Sequence, residues 1–266
     1  MSGVDIVFRR LREKDQKAFI PYITCGDPSL KKTMDLLDIL EKNGADIIEL
    51  GIPHSDPVAD GKTIQNSVNR ALRNGTTPYK VLRILKNFRK KSEIPIVLLT
   101  YYNIILQYGI ENFVADFSEF SDGVIVADLP PEESKELVRH SRRYDFSTVF
   151  LASPLTSKKR LKKILDLTTG FLYAVSLLGV TGEREKLSHD ICKFMKEMRP
   201  ITDLPICVGF GISKQEHVSR ILSMGADGVI VGSGVVRRLN NIKELEKYLQ
   251  KMSIPTKNNP KSFYNY

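Results

Sequence analysis

The segment ADIIELGIPHSDPVADG (45–61) places Glu49, Asp56 and Asp60 directly behind a short apolar, β-branched run. Alternate side chains of an extended strand share a face, so Glu49 lies on the face of Ile47. If Ile47 points into a protein interior, Glu49 is a poorly solvated carboxyl whose pKa rises toward neutrality, and such a group both gives and takes a proton. A structural carboxylate bonded to Ser, Thr or backbone is the alternative. Asp60 precedes Gly61 and a helix expected over 63–73, where an acid also suits the positive end of the helix dipole. Paired with Glu49, it supplies a second carboxylate with a different role in one site. His54-Ser55-Asp56 carries hydrolase residue types, but three consecutive loop residues cannot stack nucleophile, base and orienter. His140, His189 and His217 lie in polar helical surroundings and read as surface residues, and no metal site is expected.

A second kind of chemistry is written in glycines. Gly209-Phe210-Gly211-Ile212-Ser213 and Gly232-Ser233-Gly234 each follow an apolar run and open a helix. Glycine admits a ligand close to the backbone, and N–H groups at a helix start favour an anion. Two such turns in adjacent units form a phosphate grip. Neither completes G-x-G-x-x-G, because Lys214 and Arg237 fill the sixth places, so a dinucleotide fold is disfavoured.

The elements that must position these residues follow from periodicity. Apolar runs at 18–24, 45–50, 95–100, 122–128, 147–152, 170–176, 205–210 and 226–232 have the length of buried parallel strands. Between them apolar residues recur at helical spacing, as in Leu30, Met34, Leu37, Leu40 and in Ile64, Val68, Ala71, Leu72. Thr77-Pro78 and Pro130-Pro131 mark helix starts, Ser213 with Glu216 forms a capping box, and Gly44, Gly75, Gly170 and Gly225 mark stops. Eight alternating units predict a single (β/α)8 TIM barrel over 1–252, with extended loops after strands 2 and 6 at 51–61 and 177–190. Loops after barrel strands build the catalytic face. The tail 253–266 has no periodicity and is expected to be disordered.

Composition narrows the function classes. The 266 residues are 42% hydrophobic and 27% charged, which excludes wholesale disorder. Cys25, Cys192 and Cys207 show no C-x-x-C spacing, which argues against a disulfide framework or zinc site and for a reducing, cytoplasmic location. Nothing in the sequence reads as a membrane span or a targeting segment. The net charge of +9 raises the question of nucleic acid. Its main clusters, 80–91 and 158–163, interleave with apolar residues at helical spacing and read as solvated helix faces, so no nucleic-acid partner is expected.

Taken together, 45–65, LLTYYN (98–103), VADLPPEES (126–134), TTGFLYAVSLLGVTG (168–182), VGFGIS (208–213) and GADGVIVGS (225–233) resemble the tryptophan synthase alpha chain family, in order and nearly full length. The resemblance implies a lyase cleaving indole-3-glycerol phosphate to indole and glyceraldehyde 3-phosphate. It implies Glu49 as the acid/base and Asp60 as the carboxylate that holds the indole N–H. It further implies Tyr173 as a tyrosine lining the site, Tyr22, Leu99, Tyr101, Ala127, Leu151 and Phe210 around the indole, and Gly182, Gly211, Gly232 and Ser233 at the phosphate. Thr181 would bridge to Asp60 when the two long loops close. A pyridoxal-phosphate beta chain is the implied partner in an alpha2beta2 assembly, met by Pro53 and Asp56, while this chain itself carries no cofactor. Leu177 and His54 depart from Arg and Phe at the matching family positions, which bears on loop closure and signalling to the partner. Two other functions remain open: an alpha chain that mainly activates its partner, and another phosphate-binding barrel such as a sugar-phosphate isomerase.

Overall fold

The structure is a computed structural model that describes residues 1–175, 184–209 and 211–258. Parallel strands β1 (Ala18–Thr24), β2 (Ile48–Gly51), β3 (Ile96–Thr100), β4 (Gly123–Val126), β5 (Ser147–Val149), β6 (Leu151–Ala152), β7 (Leu172–Val175), β8 (Ile206–Gly209) and β9 (Gly228–Val231) pair in the order β5-β4-β3-β2-β1-β9-β8-β7-β6. The two ends of that order are halves of the single run 147–152, separated at Phe150. β5 pairs with β4 and β6 with β7, and the Tyr173 N–H donates to the Phe150 carbonyl at 3.0 Å. The sheet therefore closes on itself, and the eight expected strands are present with the fifth in two pieces.

Twelve helices accompany the described strands: α1 (Gly3–Glu13), α2 (Leu30–Lys42), α3 (Lys62–Arg73), α4 (Pro78–Phe88), α5 (Tyr102–Tyr108), α6 (Ile110–Ser118), α7 (Lys135–Arg143), α8 (Lys158–Leu167), α9 (Arg184–Met198), α10 (Gln215–Ser223), α11 (Ser233–Val236) and α12 (Ile242–Lys257). Strand alternation splits the core in two. Ile20, Ile47, Val97, Ile125, Val149, Phe171, Cys207 and Ile230 fill the barrel interior. Their neighbours Phe19, Ile48, Leu98 and Val124 face outward and pack with Leu36, Leu40, Val68, Leu85 and Phe88 of the helices. The direction expected of Ile47 is thereby fixed, and with it that of Glu49.

The count of eight units leaves α1 unassigned. Its Val4, Val7, Phe8 and Leu11 join the interior cluster, so α1 stoppers the N-terminal end of the barrel. A reciprocal box caps it: the Ser2 N–H donates to Asp5 Oδ2 at 3.1 Å and the Asp5 N–H donates to Ser2 Oγ at 3.3 Å. Three carboxylates at strand entrances tie neighbouring strands together at this end. Asp46, Asp122 and Asp227 accept the N–H groups of Phe19, Ile96 and Ile206, each at 2.9 Å, and each faces a cation, Lys257, Arg89 and Arg199 respectively. Arg89 is thus an ion-pair residue rather than part of a solvated face, unlike the exposed Lys158, Lys159 and Lys162.

Several local expectations need correction. The barrel does not end at 252: α12 continues through Pro255, with Ser253, Pro255 and Thr256 buried and the Lys257 ammonium on Asp46 at 2.5 Å. Residues 253–257 show no periodicity of their own, but packing and that ion pair hold the last turn. Residues 259–266 lie outside the described residues. α10 begins after Lys214 with no side-chain cap, so the Ser213/Glu216 box is not formed; the Ser213 N–H instead faces His217 Nδ1 at 3.4 Å. α7 starts at Lys135, one turn after Pro130-Pro131. His140 is buried, not superficial, and its ring lies beside Arg139. Gly44, Gly75, Gly170 and Gly225 all adopt positive φ at the expected stops.

Candidate active site

At the C-terminal end of the barrel a cavity of about 390 Å³ is lined by Glu49 and Asp60 together with Tyr22, Leu99, Ala127, Leu151, Tyr173, Gly211, Gly232 and Ser233. These are expected site residues drawn from nine separate places in the chain. Tyr22 and Glu49 are register partners on β1 and β2, and Leu151 and Tyr173 on β6 and β7, so adjacent strands present side chains at one level. That level lies above Ile20 and Ile47, two residues before Tyr22 and Glu49.

Glu49 is 2% exposed, and its Oε2 has no hydrogen-bond partner. Burial, and secondarily the charge of Asp60, push its carboxyl up to about 8. At neutral pH the group is mostly the protonated acid, within easy reach of either state. No Ser, Thr or backbone donor stabilises Oε2, which removes the structural alternative for that oxygen. Buried polar atoms are normally paired, so an orphaned one facing a cavity marks a place for a ligand atom.

Asp60 does not cap α3; Gly61 takes the cap position. Its carboxylate instead accepts the Tyr101 phenol at Oδ2, 2.9 Å away, while the Ala59 N–H donates to the same phenol oxygen at 3.1 Å. Burial raises the Asp60 pKa and the Tyr101 bond opposes that rise. Tyr101 is therefore the support of Asp60 rather than a cavity wall. His54 stacks on Tyr101 with ring centroids 5.0 Å apart, and its Nδ1 accepts the Asp56 N–H at 3.1 Å. The loop after β2 is thus folded onto its own Asp60 carboxylate. Within it Pro53 is buried, whereas Asp56 is exposed.

The glycine turns divide by task. Gly211 (φ +73°), Gly232 and Ser233 line the cavity. Gly209 does not: a Cβ there would lie 2.3 Å from the Tyr173 hydroxyl, so this glycine makes room for that ring. The same distance from a Cβ on Gly234 to the Tyr248 hydroxyl is 1.9 Å, again a packing demand. Thr181, Gly182, Phe210 and Leu177 lie outside the described residues.

Sequence reasoning passed over Ile64, Ile212, Ser213, Ile230 and Arg237, all of which line the same cavity. Ile230 follows from the alternation that gives Gly232. Arg237 had no signal: it looked like a misfit in a nucleotide motif, yet the one-turn α11 brings it to the cavity that Ser233 and Gly211 line.

A sequence model described as tryptophan synthase alpha chain matches residues 8–262. The chain is 42% identical over 247 residues to the tryptophan synthase alpha chain of Prochlorococcus marinus subsp. pastoris, covering 92% of this chain and 88% of that one. It is 41% identical over 256 residues to that of Arabidopsis thaliana, covering 96% and 93%. Among solved structures it resembles tryptophan synthase subunit alpha from Legionella pneumophila str. Paris, with TM-score 0.89, 34% identity and coverage of 97% and 99%.

Proposed function

Because the chain belongs to the tryptophan synthase alpha chain family, lyases that cleave indole-3-glycerol phosphate in tryptophan biosynthesis, we propose that Glu49 and Asp60 divide that reaction between them. The observation that carries this reading is the buried, unpartnered Glu49 carboxyl sharing a cavity with a tyrosine-held Asp60.

Cleavage is a retro-aldol step. The protonated Glu49 gives its proton to C3 of the indole, and the positive charge falls on N1. Asp60, ionised and fixed by Tyr101, holds the N1–H and stabilises that charge. Glu49, now a carboxylate, takes the proton of the side-chain hydroxyl on the carbon next to C3. That oxygen becomes the aldehyde oxygen, the bond from its carbon to C3 breaks, and the electron pair returns to the ring. Glu49 ends protonated, as it began. The flat bicycle suits walls made of Tyr22, Leu99, Ala127, Leu151 and Tyr173. Gly211, Gly232 and Ser233 offer backbone N–H groups to the phosphate, with Arg237 adding charge.

The reading includes a partner: a beta chain carrying pyridoxal phosphate, in an alpha2beta2 assembly, with the exposed Asp56 as a contact and Pro53 shaping the loop from within. This chain needs no cofactor of its own. Among the described residues no helix is long and apolar enough to cross a membrane, and a cytoplasmic location fits the thiols Cys25 and Cys207, both buried and free. The test is indole release from indole-3-glycerol phosphate, with and without a beta chain. Wild type is expected to turn over and Asp60→Asn to lose about a hundred-fold or more. Turnover by neither alone nor with the partner sinks the lyase reading and favours a chain that only activates the beta subunit.

A further inference from the structure

A chain of buried side chains reaches the cavity wall from outside the barrel. Tyr22 Oη and Thr24 Oγ1 are 2.9 Å apart, Ser67 Oγ lies 2.9 Å from Thr24 Oγ1 and 2.5 Å from Asp27 Oδ2, and Arg70 donates Nε and Nη2 to Asp27 at 2.7 Å each. Tyr22, Thr24, Asp27 and Ser67 are all buried, and only Arg70 emerges to solvent. Ser67 and Arg70 stand three residues apart on α3 and so share a face.

The chain is anchored at its carboxylate end. A carboxylate held by a guanidinium only accepts. Ser67 Oγ is the donor towards both Asp27 Oδ2 and Thr24 Oγ1, with the shorter contact to the carboxylate. The Thr24 hydroxyl in turn bonds the Tyr22 phenol, a pair in which either oxygen can donate. Burial and the charges of Asp60 and Glu49 keep that phenol protonated, because they push its pKa well above the usual value. The ring is seated as well as bonded. A Cβ on Gly51 would come within 2.4 Å of the Tyr22 hydroxyl, so only glycine at that position leaves the notch that the phenol occupies.

We propose that Thr24, Ser67 and the Asp27–Arg70 pair are positioning residues that lock the Tyr22 ring in the cavity wall through its phenol oxygen. Tyr22 then presents a fixed ring surface to the aromatic part of the ligand. The proposal rests on the lyase reading and extends it to residues that never touch substrate.

Ser67→Ala and Thr24→Val each remove one link with little change of volume. Each is expected to raise KM for indole-3-glycerol phosphate about five-fold while kcat changes less than about two-fold, and Tyr22→Phe to raise KM similarly. In a Tyr22→Phe background Ser67→Ala should add nothing, because both act through one hydroxyl. The Cζ resonance of 13C-labelled tyrosine, assigned to Tyr22 from Tyr22→Phe, should move in Ser67→Ala. Additive KM effects, an unmoved Cζ signal, or an unchanged KM in folded Ser67→Ala overturns the proposal. A wild type that releases no indole instead defeats the lyase reading, and the Cζ signal then decides alone whether the lock exists.

Discussion

The Tyr101 phenol donates to Asp60 Oδ2 at 2.9 Å, and the Ala59 N–H, one residue before Asp60, donates back to the phenol oxygen. One tyrosine thus fixes both the backbone and the carboxylate of the loop after β2. Replacing it by Phe leaves Asp60 without its donor and the loop without its tie. We expect Tyr101→Phe to lower kcat/KM about ten-fold, the usual worth of a hydrogen bond to a charged group. Steady-state kinetics check this, and an unchanged kcat/KM removes Tyr101 from the account.

Glu49 governs the basic limb of the pH profile. The first proton transfer needs its acid form, which dominates below its pKa of about 8 and is depleted above it. The kcat/KM of the free enzyme should therefore fall as pH rises through about 8. A profile that falls only near the ordinary glutamate range would contradict the burial argument.

The same burial has a stability consequence, with a fixed sign. The folded pKa lies above the ordinary value of 4.5, so the folded state binds this proton more tightly than the unfolded chain. The contribution is fully present at pH 4 and is lost as pH rises through the folded value. Glu49→Gln never ionises, so it should gain stability over wild type on going from pH 5 to pH 9, by on the order of 3–5 kcal/mol at most. Denaturant unfolding at the two pH values measures the difference, and a constant difference refutes the desolvated acid.

At the opposite end of the barrel, Asp122 ties β3 to β4 by accepting the Ile96 N–H while Arg89 holds it at 2.6 Å. Asp122→Ala strands a largely buried guanidinium and a backbone donor. The expected loss is about 2–4 kcal/mol in denaturant unfolding, with kcat unaltered at temperatures where the protein is folded. A loss of activity without loss of stability would show that this end communicates with the site.

What the sequence carried and what it hid follow from chain distance. Glu49 was legible because a two-residue period and the apolar Ile47 decide its direction, and Gly232 and Ile230 obey the same rule. Asp60 stood out through its neighbour in the motif, although its partner Tyr101, 41 residues away, was placed at the ligand instead. The Thr24–Ser67–Asp27 chain joins residues 40 and 43 apart through hydroxyls that look like ordinary helix and strand polar residues. α1 was missed because its apolar stripe is short and belongs to no strand-helix unit. The end of α12 was hidden because 253–257 shows no periodicity of its own and is held by tertiary packing.

The central claim is that one buried carboxyl gives the proton to C3 and takes the one from the hydroxyl. Single-turnover indole release by Glu49→Gln, in a protein shown to be folded, tests it most directly. The account predicts a rate lower than wild type by a factor of about a hundred to ten thousand, with substrate still bound. Release at the wild-type rate would contradict it.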